Sequence, residues 1–370
     1  MTEIKYCEGC GATLQTTDPT KVGYIPPSAL EKEHKICQRC FRIKNYNEVI
    51  PLQMDEDEFL EILHSIGNTD SFVVQIVDLF DIDGTLIAGL PRFIGKNPYI
   101  LVANKIDLFP KSVNHQKIKH WLKKYVNEHG LYPEEIFLVS AEKNIGLLDV
   151  IRYLEREKGK RDVFVVGATN VGKSSFINRI ISIIKGKHEH FALTTSRYPG
   201  TTLNVVRIPF IDGTDMIDTP GIVNHKRFSE WVDPKSLKAI IPNKTVKPKV
   251  YQLKGDQTLF WGGLARIDQV GETKNNFVCY LANAIPIHRT KRVNADEIYQ
   301  KHLGELLQPP TLKEANQLPP LTKHSFRFTG RNKVDIVISG LGWVAVDGEP
   351  TTIDIYVPKG IGVHLREALI

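Results

Sequence analysis

Short apolar runs alternate with amphipathic stretches between residues 51 and 224. The runs of strand length span residues 71–77, 99–102, 136–139, 163–166, 203–210 and 214–217. Apolar residues recur at helical spacing within residues 54–66, 118–125, 147–154 and 174–184. This alternation predicts an α/β domain with a mainly parallel, doubly wound sheet, whose ligand site lies at the carboxyl ends of the strands.

The rhythm changes after Asn224. Strand-like runs separated by Gly, Pro and Asp turns cover residues 249–253, 258–267, 276–281, 334–337, 343–346 and 352–357. One polar stretch, residues 295–307, has helical character. A β-rich domain is therefore predicted for residues 225–370.

Residues 1–50 show little apolar periodicity and contain two CxxC pairs, Cys7 with Cys10 and Cys37 with Cys40. A segment so poor in core residues needs a staple to fold. In a reducing compartment such pairs are metal ligands or redox dithiols, and neither pair lies beside a βαβ unit as a redox dithiol would. Four thiolates suit tetrahedral Zn²⁺, in a looped or treble-clef-like finger. His34 is an alternative ligand, although an ordinary surface histidine is the preferred interpretation.

Composition and charge add a partner class. The 370 residues have an ordinary globular composition, no apolar run long enough for a membrane span and no N-terminal signal core, so a cytoplasmic location is expected. From residue 226 onward, 21 Lys and Arg stand against 14 Asp and Glu, whereas the rest of the chain carries 27 against 28. The excess is either a solvated basic surface or the footprint of a phosphate-backbone partner. Cys279, inside an apolar run, is predicted to be a buried core thiol.

Basic and aromatic residues interleave in residues 288–292 and 324–333, where the candidate phosphate contacts are Arg289, Lys291 and Arg327. Such side chains on a β surface suit single-stranded or structured RNA. A solvated sheet face is the alternative for any one of them.

The strongest motif is the phosphate loop from Gly167 to Ser174, of the form GxxxxGK[ST], between an apolar strand and a helix. Its backbone N–H groups would surround the phosphates, Lys173 would neutralise the β and γ oxygens, and Ser174 would bind Mg²⁺. The predicted nucleotide contacts of this loop are Gly167, Asn170, Val171, Gly172, Lys173, Ser174 and Ser175.

Two further motifs point to guanine as the base. Asn104, Lys105 and Asp107 form an NKxD sequence, in which Asp107 would accept two hydrogen bonds that adenine cannot donate. Ser140 and Ala141 follow the next strand, and the Ala141 N–H would meet the guanine carbonyl. Either motif alone is weak, but together with a phosphate loop they predict a GTP site.

The sequence Asp218-Thr-Pro-Gly221 ends another strand. Asp218 would hold Mg²⁺ through a water and the Gly221 N–H would meet the γ-phosphate, while Thr202 is the predicted second hydroxyl ligand of Mg²⁺. The predicted catalytic residues are thus Lys173, Thr202, Gly221 and Asn170. Where many GTPases place a water-orienting glutamine, this chain has Ile222, so slow intrinsic hydrolysis is expected.

The order of the motifs is unusual, because the base-reading motifs precede the phosphate loop. Circular permutation explains this order, since each motif keeps its own strand. The chain resembles the YqeH family of circularly permuted bacterial ribosome-assembly GTPases over essentially its full length. The expected architecture is a zinc finger in residues 1–50, a permuted P-loop GTPase domain in residues 51–224 and a basic RNA- or ribosome-binding domain in residues 225–370.

The resemblance implies a role in maturing the small ribosomal subunit. Two rivals remain open: a permuted GTPase acting on tRNA or the large subunit, and an RNA-binding scaffold that uses GTP as a structural ligand. Related GTPases use an asparagine at the position of Asn170 to help bind K⁺. The alternative for Asn170 is a residue that merely tolerates a turn conformation, and neither interpretation is preferred.

Overall fold

The computed structural model describes residues 5–8, 12–19, 21, 23–31, 34–46, 53–54, 56–185, 194–197, 204–210 and 212–370. The chain divides into two compact units. The α/β unit comprises Met1–Leu79, Thr85–Ile106 and His115–Val223, and the β unit comprises Phe80–Gly84, Asp107–Asn114 and Asn224–Ile370.

The first part of the chain, up to Ile222, alternates between helices and strands. The helices are α1 (Gln38–Tyr46), α2 (Glu56–Gly67), α3 (Ile82–Thr85), α4 (Leu90–Ile94), α5 (His115–Glu128), α6 (Leu147–Glu157) and α7 (Lys173–Lys185). The strands are β1 (Gln53–Met54), β2 (Ser71–Asp78), β3 (Tyr99–Asn104), β4 (Ile136–Leu138), β5 (Asp162–Gly167), β6 (Thr194–Arg197), β7 (Asn204–Pro209), β8 (Asp215–Asp218) and β9 (Gly221–Ile222).

In the described part of the chain, seven strands of the α/β unit form one sheet in the order β4-β3-β2-β5-β8-β7-β6. The pairs from β4 to β8 are parallel and the last two are antiparallel. The predicted mainly parallel sheet is confirmed. Its central strands are apolar on both faces because helices cover them, and residues such as Val74, Val165 and Ile177 share one buried core.

The parallel register brings four strand ends to one edge of this sheet. Asp78 of β2 pairs with Asn104 of β3, Ile76 with Gly167 of β5, and Val165 with Asp218 of β8. The predicted motifs therefore begin at neighbouring strand ends, as expected for a doubly wound sheet.

From Asn224 onward the chain forms mostly strands. The strands are β10 (Lys249–Lys254), β11 (Gln257–Trp261), β12 (Ala265–Val270), β13 (Lys274–Leu281), β14 (Ile287–Lys291), β15 (Leu321–Phe328), β16 (Val334–Ile338), β17 (Gly342–Gly348), β18 (Thr351–Pro358) and β19 (Val363–Glu367). The helices are α8 (Pro234–Ile240), α9 (Ala295–His302) and α10 (Leu312–Ala315).

Two antiparallel sheets, ordered β10-β13-β17-β16-β19 and β14-β11-β12-β18-β15, share one hydrophobic core in the β unit. Phe277 and Val344 of the first sheet and Trp261 and Ile355 of the second belong to this core. The β-rich prediction is confirmed, with a sandwich as its form. Cys279 is fully buried there, and this burial raises the pKa of its thiol to about 12, which confirms the predicted core thiol.

Several predicted elements differ from the structure. Residues 258–267 form two strands, because Gly262, with φ of +53°, turns the chain between β11 and β12. The helix predicted to begin at residue 54 begins at Glu56, since Met54 pairs with Ile222 instead. The helix predicted for residues 295–307 ends at His302. Strands β14, β15 and β19 were not predicted, because their polar and half-buried residues give little apolar signal.

None of the helices in the described ranges combines the length and apolar character that crossing a membrane requires.

Candidate functional site

The loop between β5 and α7 has the backbone shape of a phosphate loop. Gly172 has φ of +86° and Asn170 has φ of +61°, both in the left-handed region. A Cβ at Gly167 would lie 2.6 Å from the carbonyl oxygen of Ile76, so this turn admits only glycine. The conformation of Asn170 fits its interpretation as a turn residue, and the K⁺ role stays a prediction.

Asn104 joins three of the predicted motifs. Its Nδ2 donates to the carbonyl oxygen of Val171 in the phosphate loop, at 2.9 Å, and its Oδ1 accepts from the Ala141 N–H at 3.0 Å. The side chain is buried, so both bonds are protected from water. The guanine contact predicted for the Ala141 N–H would require that bond to be shared or exchanged, and it stays a prediction.

Lys105 makes the second link between the base motif and the phosphate loop. Its Nζ lies 2.8 Å from the carbonyl oxygen of Asn170 and 2.6 Å from Asp78 Oδ2. The residue has φ of +73°, an uncommon conformation that these two bonds hold in place. Asp78 thereby sets the position of the Lys105 side chain.

Lys173 and Ser174 open α7 at the same edge. Lys173 Nζ is buried and donates to the Asp218 carboxylate and to the Thr219 carbonyl oxygen. Burial lowers the pKa of Lys173, and the Asp218 charge opposes that effect. Within the described structure Ser174 Oγ is a buried atom with no hydrogen-bond partner. A buried hydroxyl of this kind, on the residue after Lys173, fits a hard cation such as Mg²⁺.

Gly221 and Ile222 lie against the phosphate loop. The Thr169 N–H donates to the Ile222 carbonyl oxygen at 2.8 Å, and Ala168 forms a parallel bridge with Ile222. The Ile222 side chain packs against the hydrophobic core of the α/β unit. This packing agrees with the expectation that Ile222 orients no water.

The other predicted residues are placed as follows. Asp107 lies in the 3-10 helix Ile106–Leu108, directly after β3, and its carbonyl oxygen accepts from Thr245 Oγ1. Ser140 is fully buried and its Oγ accepts from the Lys143 N–H, whereas Ser175 is exposed. Thr202 and Cys10 lie outside the described residues.

Three of the predicted zinc ligands converge. The Sγ atoms of Cys7, Cys37 and Cys40 lie within 4.8 Å of one another and all three residues are buried. Backbone N–H groups of Cys37 and Cys40 donate to Cys7 Sγ at 3.2 Å and to Cys37 Sγ at 3.5 Å. Such bonds stabilise thiolates, and the beginning of α1 beside the second pair adds its dipole. The cluster is compatible with an N-terminal zinc finger.

His34 stands apart from the cysteine cluster. Its side chain is 80% exposed and Nδ1 lies 3.1 Å from Glu8 Oε2. This position agrees with the preferred interpretation of His34 as a surface histidine.

Two residues of the site were not identified from the sequence. Asp78 ends a buried parallel strand, and a carboxylate at that position was the signal that could have revealed it. Arg179 lies on α7, and its Nε donates to the Ala141 carbonyl oxygen at 3.2 Å. A single charge within a helical stretch gives no such signal.

The basic segments of the β unit lie on the two edge strands of one sheet, β14 and β15. Lys291 and Arg327 are exposed, and no partner for either side chain is seen among the described residues. Arg289 is exposed as well, but its guanidinium binds Gln257 Oε1 at 2.8 Å and the Gln252 carbonyl oxygen at 3.0 Å. The three candidate phosphate contacts thus differ in how freely they can reach a partner.

Comparisons with known proteins agree with this architecture. A family model described as YqeH-like, C-terminal matches residues 274–369, and one described as 50S ribosome-binding GTPase matches residues 162–260. The chain is 49% identical to the uncharacterized protein YqeH of Bacillus subtilis, covering 98% of this chain and 99% of that protein. It is 29% identical to NO-associated protein 1, chloroplastic/mitochondrial, of Arabidopsis thaliana, covering 100% of this chain and 77% of that protein. It is 31% identical to GTPase Der of Alkaliphilus oremlandii across 51% of this chain and 42% of that protein.

Proposed function

Because the chain belongs to the YqeH family and is a GTPase, we propose that it is a GTP-driven switch that binds ribosomal RNA and assists assembly of the small ribosomal subunit. The proposal places it in the cytoplasm. It assigns the nucleotide to the edge where β2, β3, β5 and β8 end.

The observation that carries the proposal is the pair of hydrogen bonds that the Asn104 side chain makes with Val171 and Ala141. One side chain ties the phosphate loop to both base motifs, although the base motifs come first in the sequence. The GTPase family model begins at residue 162, the first residue of β5, and so leaves both base motifs outside its match. Circular permutation accounts for that boundary.

In the proposed site the chain's own groups divide the work of binding. Asp107 accepts hydrogen bonds from guanine, Lys105 covers the ring, and the N–H groups of residues 170–175 face the phosphates. Ser174, Thr202 and Asp218 are the residues that would hold Mg²⁺. When bound, Mg²⁺ would supply the charge that neutralises the phosphate oxygens.

Hydrolysis in this proposal requires the Lys173 side chain to move from its protein partners to the phosphates. Its ammonium group now donates to Asp218 and Thr219, and it must turn toward the β and γ oxygens to stabilise their developing charge. Ile222 packs against the core and orients no water, so the intrinsic rate is slow. A ribosomal partner that orients the attacking water, or a K⁺ ion near Asn170 that adds positive charge at the phosphates, would accelerate hydrolysis.

The RNA-binding part of the proposal rests on β14 and β15. Both strands lie inside the matched YqeH-like C-terminal region, and both carry exposed basic residues at sheet edges. Edge strands present side chains and backbone to a partner that the inner strands cannot reach. The surface is therefore suited to a phosphate backbone.

The large subunit is a second candidate target, because the matched GTPase family model is described as 50S ribosome-binding. Sedimentation of the purified chain with isolated small subunits, large subunits and tRNA tests both targets. We expect the chain to co-sediment with small subunits. Its affinity for them should differ by about 5- to 150-fold between a non-hydrolysable GTP analogue and GDP. Binding to large subunits or tRNA alone would favour the other targets, and binding independent of nucleotide would favour a scaffold.

A further inference from the structure

Helix α1, which begins within the second cysteine pair, places a buried cation beside Asp218. Arg39 lies between Cys37 and Cys40 in sequence, in the first turn of α1. Only 8% of the residue is exposed. Its guanidinium NH2 lies 3.9 Å from Oδ2 of Asp218, at the carboxyl end of β8.

Two buried cations thus meet at one carboxylate. Lys173 Nζ donates to Oδ1 of Asp218 while Arg39 approaches Oδ2, and the three side chains are each less than a tenth exposed. Charges that are buried away from water interact strongly, and leaving one of them unpaired costs much free energy. Moving either cation therefore changes what the other one costs.

We propose that Arg39 is a positioning residue for GTP, so that the predicted zinc finger, with Cys7, Cys37 and Cys40, forms part of the nucleotide site. The inference rests on the proposed nucleotide site. Lys173 must leave Asp218 to reach the phosphates, and Arg39 keeps that carboxylate paired and oriented while this happens. Without Arg39, the carboxylate that Lys173 leaves would lose the contact that orients it toward the Mg²⁺ of the bound triphosphate.

A metal at the cysteine cluster would determine where Arg39 lies. Cys37 and Cys40 bracket Arg39, and a metal bound to them and to Cys7 would fix the first turn of α1. Loss of the metal would free that turn and misplace the guanidinium. Metal removal and loss of Arg39 should then weaken GTP binding through the same contact.

A rival role for Arg39 is simple attachment of α1 to the α/β unit. The two roles differ in what they predict for nucleotides. An attachment would affect zinc content and thermal stability, with GDP and GTP affinity changing alike. A positioning role changes the affinity for the Mg²⁺-bound triphosphate and leaves GDP measured without added Mg²⁺ nearly unchanged.

The test measures binding of a fluorescent non-hydrolysable GTP analogue with Mg²⁺, and of fluorescent GDP without it, to the full chain and to variants with full zinc content. We expect Arg39→Gln to weaken analogue binding about tenfold or more and GDP binding less than about twofold. Arg39→Lys, which keeps the charge, should recover part of the loss. The matched control is Arg42→Ala, an exposed arginine of the same helix, which should leave both affinities unchanged.

Zinc-free chain, obtained as Cys37→Ser, supplies the second arm. If Arg39 carries the coupling, adding Arg39→Gln to Cys37→Ser weakens analogue binding no further. Additive losses, equal losses for GDP and the analogue, or unchanged binding in zinc-loaded Arg39→Gln and Arg39→Lys would each overturn the inference.

Lys173→Ala separates this inference from the nucleotide site itself. Loss of analogue binding in Lys173→Ala together with normal binding in Arg39→Gln removes only Arg39 from the site. Normal binding in Lys173→Ala would remove the proposed site and the inference with it.

Discussion

Buried charges occur in both units of the chain, but they are arranged differently. Two ion pairs of the α/β unit stand at strand ends: Lys105 with Asp78, and Lys173 with Asp218. In the β unit, Arg266 lies on β12 and binds the carboxylate of Asp268 on the same strand through Nε at 2.8 Å and NH2 at 2.7 Å.

The partners of these charges explain the difference. Lys173 also binds the Thr219 carbonyl oxygen, which a ligand's phosphates can replace, and Lys105 binds the Asn170 carbonyl oxygen of the phosphate loop. Arg266 instead binds two carboxylates of the protein, Asp268 and Asp296, and Thr258 Oγ1 donates to Asp268 at 2.7 Å. A buried charge at a parallel strand end therefore indicates function, whereas a bidentate pair on a sheet indicates stability.

Substitution at a strand end should affect activity most strongly. Lys173→Ala is expected to lower the GTP hydrolysis rate by at least about 100-fold, because it removes the cation that stabilises the phosphate charge. Steady-state phosphate release measures this. Lys160→Ala, at an exposed lysine ahead of β5, is the matched control and should keep the parental rate. Comparable rates in the two variants would erase the contrast between the units.

Substitution of the sheet pair should act on stability instead. Asp268→Ala leaves the Arg266 guanidinium with only the exposed Asp296 as a carboxylate partner, and the free energy of unfolding of the β unit should fall by about 3 kcal/mol. Chemical denaturation followed by tryptophan fluorescence measures the loss, since Trp261 lies in the affected core. GTP hydrolysis below the transition should stay at the parental rate. A stable variant with slowed hydrolysis would mean that buried sheet charges also serve the site.

The exposed basic residues of the β unit should have intermediate effects. Lys291→Ala and Arg327→Ala are each expected to flatten the log–log slope of ribosomal RNA affinity against salt by about one unit, through loss of one released counterion. Arg289→Ala should change the slope less, because Gln257 and Gln252 already bind its guanidinium. Anisotropy over a salt series with the full chain makes the measurement. Slopes that no substitution changes would leave the charge excess as a solubilising surface.

The smallest effect is expected at Ile222. Ile222→Ala removes a partly buried side chain from the edge of the core, so hydrolysis should change less than about threefold if the residue orients no water. The rate is compared at saturating GTP with unchanged nucleotide affinity. A collapse of turnover with intact binding would assign Ile222 to the reaction.

Much of the α/β unit could be predicted because its strands are apolar on both faces and its motifs sit at their ends. The order of the two sheets in the β unit could not, since β14 and β19 pair with strands distant in sequence and have polar, half-exposed residues. Cys37 and Cys40 were found by spacing. Arg39, between them, was missed because its contact with Asp218 spans most of the α/β unit's sequence.

The motif at Asn104–Asp107 precedes the phosphate loop in sequence, and we propose that both bind the same nucleotide, with Asp107 recognising its guanine base. Asp107→Asn tests it through competition between GTP and xanthosine triphosphate for the full chain. The substitution turns an acceptor into a donor that faces the added carbonyl of xanthine. The variant should lose its preference for GTP and bind the xanthine nucleotide more tightly than the parent does. An unchanged preference for GTP would contradict the permuted site.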